Sequence, residues 1–269
     1  IAGYHRISFC RYDVAYNQIP DASVIEAMLS EDPAITHVAV VHSETTSGIL
    51  NDIQSIGEVC RRLGRTYIVD SMSSFGGVEI PVKDWGIDFL VSSANKCIQG
   101  VPGFSFIIAN KEKLEASKGI ARSLSLDLYA QWKGMEKDGK WRFTSPTHVV
   151  LAFAKALEEL KAEGGIAARH ARYSHNNRLL IDKMEEMGIH SYIEAKHQSP
   201  IITTFLYPEH KDFSFPEMYH YIKDRGYAIY PGKLTELDTF RIGNIGEIYE
   251  EDIIKLSEII GDFLKEAQH

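Results

Sequence analysis

Short apolar segments alternate with an amphipathic helical segment in the first half of the chain, and this rhythm limits the possible folds more than any other feature. Residues 36–42 (THVAVVH) are rich in β-branched side chains and predict a strand. Residues 52–64 have helical spacing and end at a glycine. Three further strands are predicted at 65–71, 87–94 and 104–110. This order indicates an α/β fold whose large domain has a mostly parallel sheet with helices on its faces.

The second half of the chain has a different pattern. Residues 147–188 predict two long helices, and short strands at 200–207, 227–231 and 240–244 follow, with a helix between them and an amphipathic helix at the end. We therefore expect a large domain over residues 1–165 and a smaller C-terminal α+β domain over residues 166–269. The opening residues resemble a helix in mid-course, with no strand before them. We expect the N-terminal part of the large domain, with its first phosphate-binding turn, to be missing.

Composition restricts the class of protein. The formal net charge of -8 argues against nucleic acid or an anionic membrane as the main partner. No apolar run approaches the roughly 20 residues that span a bilayer, and the opening residues lack the layout of a signal peptide. The three cysteines are scattered, which predicts a cytoplasmic protein without disulfides or a zinc site. His170 and His175 are five residues apart, a spacing unsuited to two metal ligands on one helix face.

Three residues with reactive side chains fall at or just after predicted strand ends: His42, Asp70 and Lys96. Ligands of such sheets bind at the carboxyl ends of the strands. Asp70 could equally be a turn or helix-capping aspartate, and Lys96 could be an ordinary surface lysine. However, small turn-forming residues surround Lys96 (SSANKCIQGVPG), and a lysine with a lowered pKa is a Schiff-base nucleophile. An aspartate and a lysine together suit pyridoxal phosphate.

Two other segments carry candidate binding groups. The segment HSETTSG (42–48) supplies hydroxyls that could cap the next helix or bind a phenolic oxygen of a cofactor. Arg241 lies between apolar residues on a late predicted strand (TFRIGNIG). An arginine in such a position needs an anion, which could be a structural carboxylate or the acid group of a substrate. The residues alone leave both alternatives open.

Seven segments together resemble one enzyme family. They are HSETTSG, YIVDSMSSFGG, SSANKCIQGVPGF, ARSLSLDLY, KWRFTSPTH, AIYPGKLT and FRIGNIG. They are similar to the 2-aminoethylphosphonate–pyruvate aminotransferases, which belong to the class V group of fold-type I pyridoxal-phosphate enzymes. The resemblance extends over essentially the whole chain. It implies transfer of the amino group of 2-aminoethylphosphonate to pyruvate, which gives phosphonoacetaldehyde and L-alanine.

The resemblance also implies a role for five residues. Lys96 matches the lysine that holds pyridoxal phosphate and moves the proton, and Asp70 matches the aspartate that keeps the ring nitrogen protonated. Thr45 matches a hydroxyl residue close to the ring. Thr144 matches a threonine that reaches the cofactor phosphate of a neighbouring subunit, which implies a homodimer. Arg241 matches the arginine that receives the acid group of the substrate.

Three alternatives remain at this stage. One is another class V transaminase, which would act on a small amino acid with glyoxylate or pyruvate. A second is a truncated, cofactor-free remnant that serves as an interaction module. A cysteine desulfurase is less favoured, because Cys97 adjoins Lys96 and no other cysteine lies on a suitable late loop.

Overall fold

The computed structural model describes residues 7–209 and 213–266, and within these ranges the chain forms eight α-helices and nine strands. In chain order they are α1 (Ala22–Glu31), β1 (His37–Val41), β2 (Ser43–Glu44), β3 (Ile49–Leu50), α2 (Ile53–Arg62), β4 (Thr66–Asp70), β5 (Phe89–Ser93), β6 (Ser105–Ala109), α3 (Lys111–Ala116), α4 (Leu128–Asp138), α5 (Thr147–Glu163), α6 (Gly165–Glu186), β7 (Ile202–Leu206), α7 (Phe215–Lys223), β8 (Tyr230–Pro231), β9 (Thr239–Gly243) and α8 (Glu250–Glu266). A single 3₁₀ turn, Ala195–His197, precedes β7.

The first half of the chain forms a four-stranded sheet in the order β1-β4-β5-β6. β1, β4 and β5 are parallel, and β6 is antiparallel to β5. The prediction of an α/β fold with a mostly parallel sheet is therefore confirmed. The register pairs Val41 with Asp70 and Asp70 with Val91, so the carboxyl ends of the three parallel strands lie side by side. This alignment places the loops that follow them at one edge of the sheet.

The second half forms a three-stranded antiparallel sheet in the order β7-β9-β8. Helices α6, α7 and α8 bury their apolar faces against it, and the most deeply buried members of this core include Leu180, Met184, Phe205, Phe240 and Ile260. A separate cluster under the large sheet includes Ile56, Tyr67 and Leu90. The two largest hydrophobic cores of the described residues therefore belong to the two halves of the chain.

The two long helices predicted over 147–188 are present as α5 and α6. They separate at Gly164 and Gly165, whose φ angles of +113° and +80° favour glycine. The prediction of a helix at the chain's opening is wrong for residues 7–20, which form no helix. Helix α1 begins only after its N-cap, Asp21. Residues 1–6 lie outside the described residues. Within the described ranges, no helix has the length and apolar character needed to cross a membrane.

Candidate active site

The ends of β1, β4 and β5 form the base of the candidate site. The backbone N–H of His42 donates to the carbonyl of Asp70 (2.8 Å), and the N–H of Ser71 donates to Val91 (2.9 Å). Lys96 follows the last residue of β5, Ser93, in a tight turn. The structure therefore places Asp70 and the turn that carries Lys96 at one edge of the sheet, as the strand pattern predicted.

Asp70 is half-buried at the end of β4. Its Oδ1 accepts a hydrogen bond from the N–H of Met72 (2.9 Å). This is the contact that a turn aspartate makes, one of the two roles that the sequence left open for Asp70. Among the described residues, no cation forms an ion pair with this carboxylate. Asp70 therefore has acceptor capacity left for a cationic or N–H group of a bound molecule.

Lys96 is half-buried in a turn closed by two backbone bonds, Gln99 N–H to Lys96 O (2.8 Å) and Gly100 N–H to Ala94 O (2.9 Å). A Cβ at Gly100 would lie 2.6 Å from the Ala94 oxygen, so the turn requires glycine there. Across the part of the chain that the structure describes, the Lys96 ammonium has neither a hydrogen bond nor an ion pair. Its amine is therefore available to a ligand.

Arg241 on β9 meets the turn that contains Thr45, although the two residues are far apart in sequence. Its Nη1 donates to the carbonyl oxygen of Thr45 (2.8 Å) and its Nε to the carbonyl oxygen of Pro231 (3.1 Å). The side chain is buried, with 6 % of the residue exposed, and this burial lowers the pKa of the guanidinium from its ordinary value. Tyr230 places its ring 5.8 Å from the guanidinium carbon.

Arg241 forms no ion pair with a carboxylate of the described residues. Of the two anions that the sequence left open, the structural carboxylate is therefore absent from this part of the chain. The charge of Glu44 acts on the guanidinium without forming an ion pair with it. A buried cation whose only hydrogen-bond partners in the described chain are neutral carbonyls attracts an anion strongly, because that anion replaces the lost hydration. This arrangement favours the acid group of a substrate.

His42 is a site residue to which the sequence gave no role. It is buried, and its Nδ1 lies 2.9 Å from Ser74 Oγ in the loop after Asp70. Burial lowers its pKa to about 4, so the ring is neutral at pH 7. The contact fixes the loop after Asp70 to the end of β1. Its position directly after an apolar strand was the available signal, but Ser74 is 32 residues further along the chain.

The loop after Asp70 is also packed against the Lys96 turn. The Cys97 thiol donates to the carbonyl oxygen of Ser73 (3.1 Å). A Cβ at Gly76 would lie 2.5 Å from Ile98 Cδ1, and one at Gly77 would lie 2.6 Å from Cys97 Sγ. The two glycines therefore allow the two loops to approach closely. Burial raises the pKa of Cys97 to about 12, which makes its thiol a poor nucleophile.

Thr144 is exposed in the loop before α5, and within the described chain no hydrogen bond joins it to another predicted site residue. The nearby apolar side chains of Phe143 and Leu151 are also exposed. A role for Thr144 at the site of a neighbouring subunit stays a prediction.

The donor set fits pyridoxal phosphate, which needs an amine for its aldehyde, a carboxylate for its ring nitrogen and donors for its oxygens. Lys96 and Asp70 supply the first two. Four hydroxyls are buried without a partner among the described residues: in the turn between β2 and β3, at the end of β5, on β7 and at the start of β9. They belong to Ser47, Ser93, Thr204 and Thr239. Such unpartnered groups near the site suit a polar bound molecule.

A cavity of about 370 Å³ has His42 in its lining. It is lined by the start of α2 and by Lys196 and His197, but not by Asp70 or Lys96. The cavity is therefore distinct from the candidate site, which is defined by the converging side chains.

Comparison with known proteins identifies similar sequences and folds. The profile of the family Aminotransferase class-V matches residues 6–236. The 2-aminoethylphosphonate–pyruvate transaminase of Lysinibacillus sphaericus (strain C3-41) is 58 % identical over 259 residues, which cover 96 % of this chain and 70 % of that protein. The protein of the same name from Salmonella paratyphi B is 54 % identical over 257 residues, 95 % of this chain and 70 % of its own length. The crystal structure of an alanine–glyoxylate aminotransferase from Nostoc sp. superimposes with a TM-score of 0.87 at 22 % identity, over 98 % of this chain and 70 % of that one.

Proposed function

The chain belongs to the class-V aminotransferases, and we propose that it transfers the amino group of 2-aminoethylphosphonate to pyruvate with pyridoxal phosphate as its cofactor. The products are phosphonoacetaldehyde and L-alanine. Relatives more than half identical to this chain carry this activity in their names. The structural observation that supports the proposal most is Arg241, a buried cation whose partners in the described chain are neutral carbonyl oxygens.

Lys96 holds the cofactor and acts as the base. Bound pyridoxal phosphate supplies an electron sink for the carbon that loses its proton. The Lys96 amine, without a partner in the described chain, removes that proton and returns it elsewhere on the reacting molecule. The narrow turn around it, closed by Gly100, limits where the amine can be.

Asp70 stabilises the protonated ring nitrogen of the cofactor. The N–H of Met72 holds the carboxylate through Oδ1, and the remaining acceptor sites would be available to the ring nitrogen. A charge-assisted hydrogen bond from this nitrogen to Asp70 would favour the protonated form of the ring.

Arg241 binds the acid groups of the two substrates in turn. The N–H groups of its planar guanidinium donate hydrogen bonds first to the phosphonate of 2-aminoethylphosphonate and then to the carboxylate of pyruvate. The bonds to Thr45 and Pro231 hold the guanidinium in place, so little side-chain entropy is lost when an anion binds. The same bond holds the Thr45 turn at the site, and we propose that Thr45 lies close to the cofactor ring.

The remaining assignments belong to this proposal. Thr144 would reach the cofactor phosphate of a second copy of the chain, so the active form would be a homodimer; the exposed apolar side chains of Leu124, Leu126 and Phe143 support such a contact. The two cores support a large domain over 1–165 and a small domain over 166–269. The free cysteines support a cytoplasmic location.

The first test is the visible spectrum after addition of pyridoxal phosphate and removal of the unbound cofactor, which is itself coloured. The unaltered protein and the control Lys118→Ala, which changes an exposed lysine, should become coloured, and Lys96→Ala should not. Colour that persists in Lys96→Ala would show that this lysine is not the residue that holds the cofactor. Absence of colour in all three proteins would overturn the cofactor assignment.

The second test concerns the substrates. We expect alanine formation from 2-aminoethylphosphonate and pyruvate to exceed that from small amino acids with glyoxylate. Arg241→Met should lower kcat/KM about 100-fold or more, because hydrogen bonds to charged groups contribute about 1.5–3 kcal/mol each. The exposed Arg178→Met serves as the control. Equal rates with the small amino acids would favour the other class V reaction.

A further inference from the structure

One turn of helix α6, residues 169–173, contacts the Lys96 turn, the loop that follows Asp70 and the loop that follows β9. We call it the α6 turn. His170 Nδ1 donates to the carbonyl oxygen of Gly77 (2.9 Å) in the loop after Asp70. The other contacts of the α6 turn reach the Lys96 turn and the loop after β9. The sequence pattern gave none of these α6 residues a role at the site; His170 was considered only as a metal ligand, and the others lie on an ordinary predicted helix.

Arg169 fixes the backbone of the Lys96 turn. Its Nη1 donates to the carbonyl oxygens of Cys97 (2.7 Å) and Ile98 (3.3 Å). The arginine is buried, and Glu163 neutralises it at 2.7 Å. A buried guanidinium with a carboxylate partner and carbonyl acceptors is well satisfied. The Lys96 turn therefore has a firm attachment that does not involve its side chains.

Tyr173 joins the Lys96 turn to the loop after Arg241. Its hydroxyl accepts hydrogen bonds from Gln99 Nε2 (2.7 Å) and from the N–H of Gly246 (3.2 Å). Its carbonyl oxygen accepts a further bond from Asn244 Nδ2 (3.0 Å). The ring is fully buried. One hydroxyl oxygen is thus bonded on one side to the lysine turn and on the other to the loop that leaves β9.

Gln99 has an unusual backbone conformation. With φ at +65° it is the one non-glycine residue in the left-handed region within the described part of the chain. This conformation costs about 1–2 kcal/mol for a residue with a Cβ. The Tyr173 bond helps to hold it. A strained residue three positions after the lysine, kept in place by a distant side chain, is the kind of feature that fixes a functional turn.

A second connection runs in parallel. Arg172 Nε donates to the other oxygen of Glu163 (2.9 Å), and its Nη1 donates to the carbonyl oxygens of Gly246 (2.8 Å) and Ile248 (3.0 Å). Loss of the Tyr173 hydroxyl would therefore leave the loops attached through Arg169, Arg172 and Glu163. The fold should survive that loss, while the relative position of the two loops becomes less well defined.

We propose that Tyr173 is a positioning residue for the transamination proposed above. Its hydroxyl fixes the Lys96 turn relative to the loop after Arg241, so that the amine that moves the proton and the guanidinium that holds the acid group keep one separation. This inference rests on the proposed function. Because Arg241 keeps its own bonds, substrate binding is preserved when the hydroxyl is lost. Proton transfer, which depends on the exact placement of the amine, is slowed.

The test compares Tyr173→Phe with the unaltered holoenzyme. We expect kcat to fall about 10–100-fold while KM for each substrate changes less than about threefold. The control is Tyr221→Phe, which removes a hydroxyl that bonds Glu266 on the surface. Amide hydrogen exchange should become faster at both 96–100 and 244–248 in Tyr173→Phe and stay unchanged in Tyr221→Phe. An unchanged kcat, or exchange altered in one segment alone, would overturn the proposal.

A second variant covers the case in which Tyr173→Phe does not fold. Gln99→Gly removes the same bond and relieves the left-handed backbone, so the turn should form easily. It should lower kcat as Tyr173→Phe does, and the double variant should lower it no further, because both changes break one interaction. If the two substitutions lowered kcat by independent factors that multiply, or if Gln99→Gly had a normal kcat, the proposed role of the Gln99–Tyr173 hydrogen bond would be contradicted. Amide hydrogen exchange at 96–100 and 244–248 tests the coupling of the two loops even if the protein proves to have no transaminase activity.

Discussion

The buried His42 should make the stability of the protein depend on pH in a defined window. The imidazole is 3 % exposed and hydrogen-bonds Ser74 through Nδ1. Burial lowers its pKa to about 4, while the negative charge of Asp52 acts weakly in the opposite direction. In the unfolded chain the same ring has its ordinary pKa of 6.5. The folded chain therefore takes up the proton less readily than the unfolded chain.

The sign of the effect follows from this order. Between pH 6.5 and 4 the unfolded chain binds more protons than the folded one, so the free energy of unfolding falls as the pH falls. Above pH 6.5 the contribution of His42 is fully present, and below pH 4 no further loss occurs. One pKa unit corresponds to about 1.4 kcal/mol, so the separation of the two values predicts a loss of about 3 kcal/mol. That is a large part of the roughly 5–15 kcal/mol typical of folded domains.

The assay is urea unfolding without added cofactor, at several pH values between about 7.5 and 4, for the unaltered protein and His42→Asn. Asparagine offers Ser74 a polar group near the position of Nδ1 but does not titrate. The stability difference between the two proteins should change by about 3 kcal/mol over this range, to the disadvantage of the histidine. The ring resonances of His42 should also show no titration between pH 7.5 and 5. Parallel stability curves for the two proteins would refute the assignment of a buried neutral histidine.

Two further predictions concern the close contact of Gly77 with Cys97 and the reactivity of the three cysteines. Gly77→Ala should lower the free energy of unfolding by about 1–3 kcal/mol, because its Cβ would meet Cys97 Sγ at 2.6 Å. The control is Gly134→Ala on α4, whose Cβ would lie 3.8 Å from Arg142, an ordinary contact distance; it should be neutral or stabilising, and thermal unfolding of both variants gives the comparison. In the native protein an aromatic disulfide reagent should modify Cys10 alone at pH 8, because burial raises the pKa of Cys60 and of Cys97 to about 12; rapid native modification of a second thiol would contradict this, and all three should react after denaturation.

The sequence was sufficient for the features that depend on local patterns. Apolar runs separated by a helical segment predicted the sheet, and the parallel arrangement then required that Asp70 and the Lys96 turn lie at the same edge. The two alternatives for Asp70 both have support, since it closes a turn with Met72 and keeps acceptor capacity for a ligand. Whole-chain resemblance supplied the proposed chemistry. None of this needed the contacts between distant residues.

The tertiary structure decided which distant groups meet. Arg241 contacts Thr45 across 196 residues, and no pattern around either residue could have shown that the arginine lacks a carboxylate partner within the described chain. The sequence places Tyr173 in a helix and shows nothing more, whereas in the structure its hydroxyl accepts hydrogen bonds from both Gln99 and Gly246. The physical reason is that periodicity reports which face of an element is buried, whereas a hydrogen bond or a neutralising charge depends on which other element the packing of the chain places against that face.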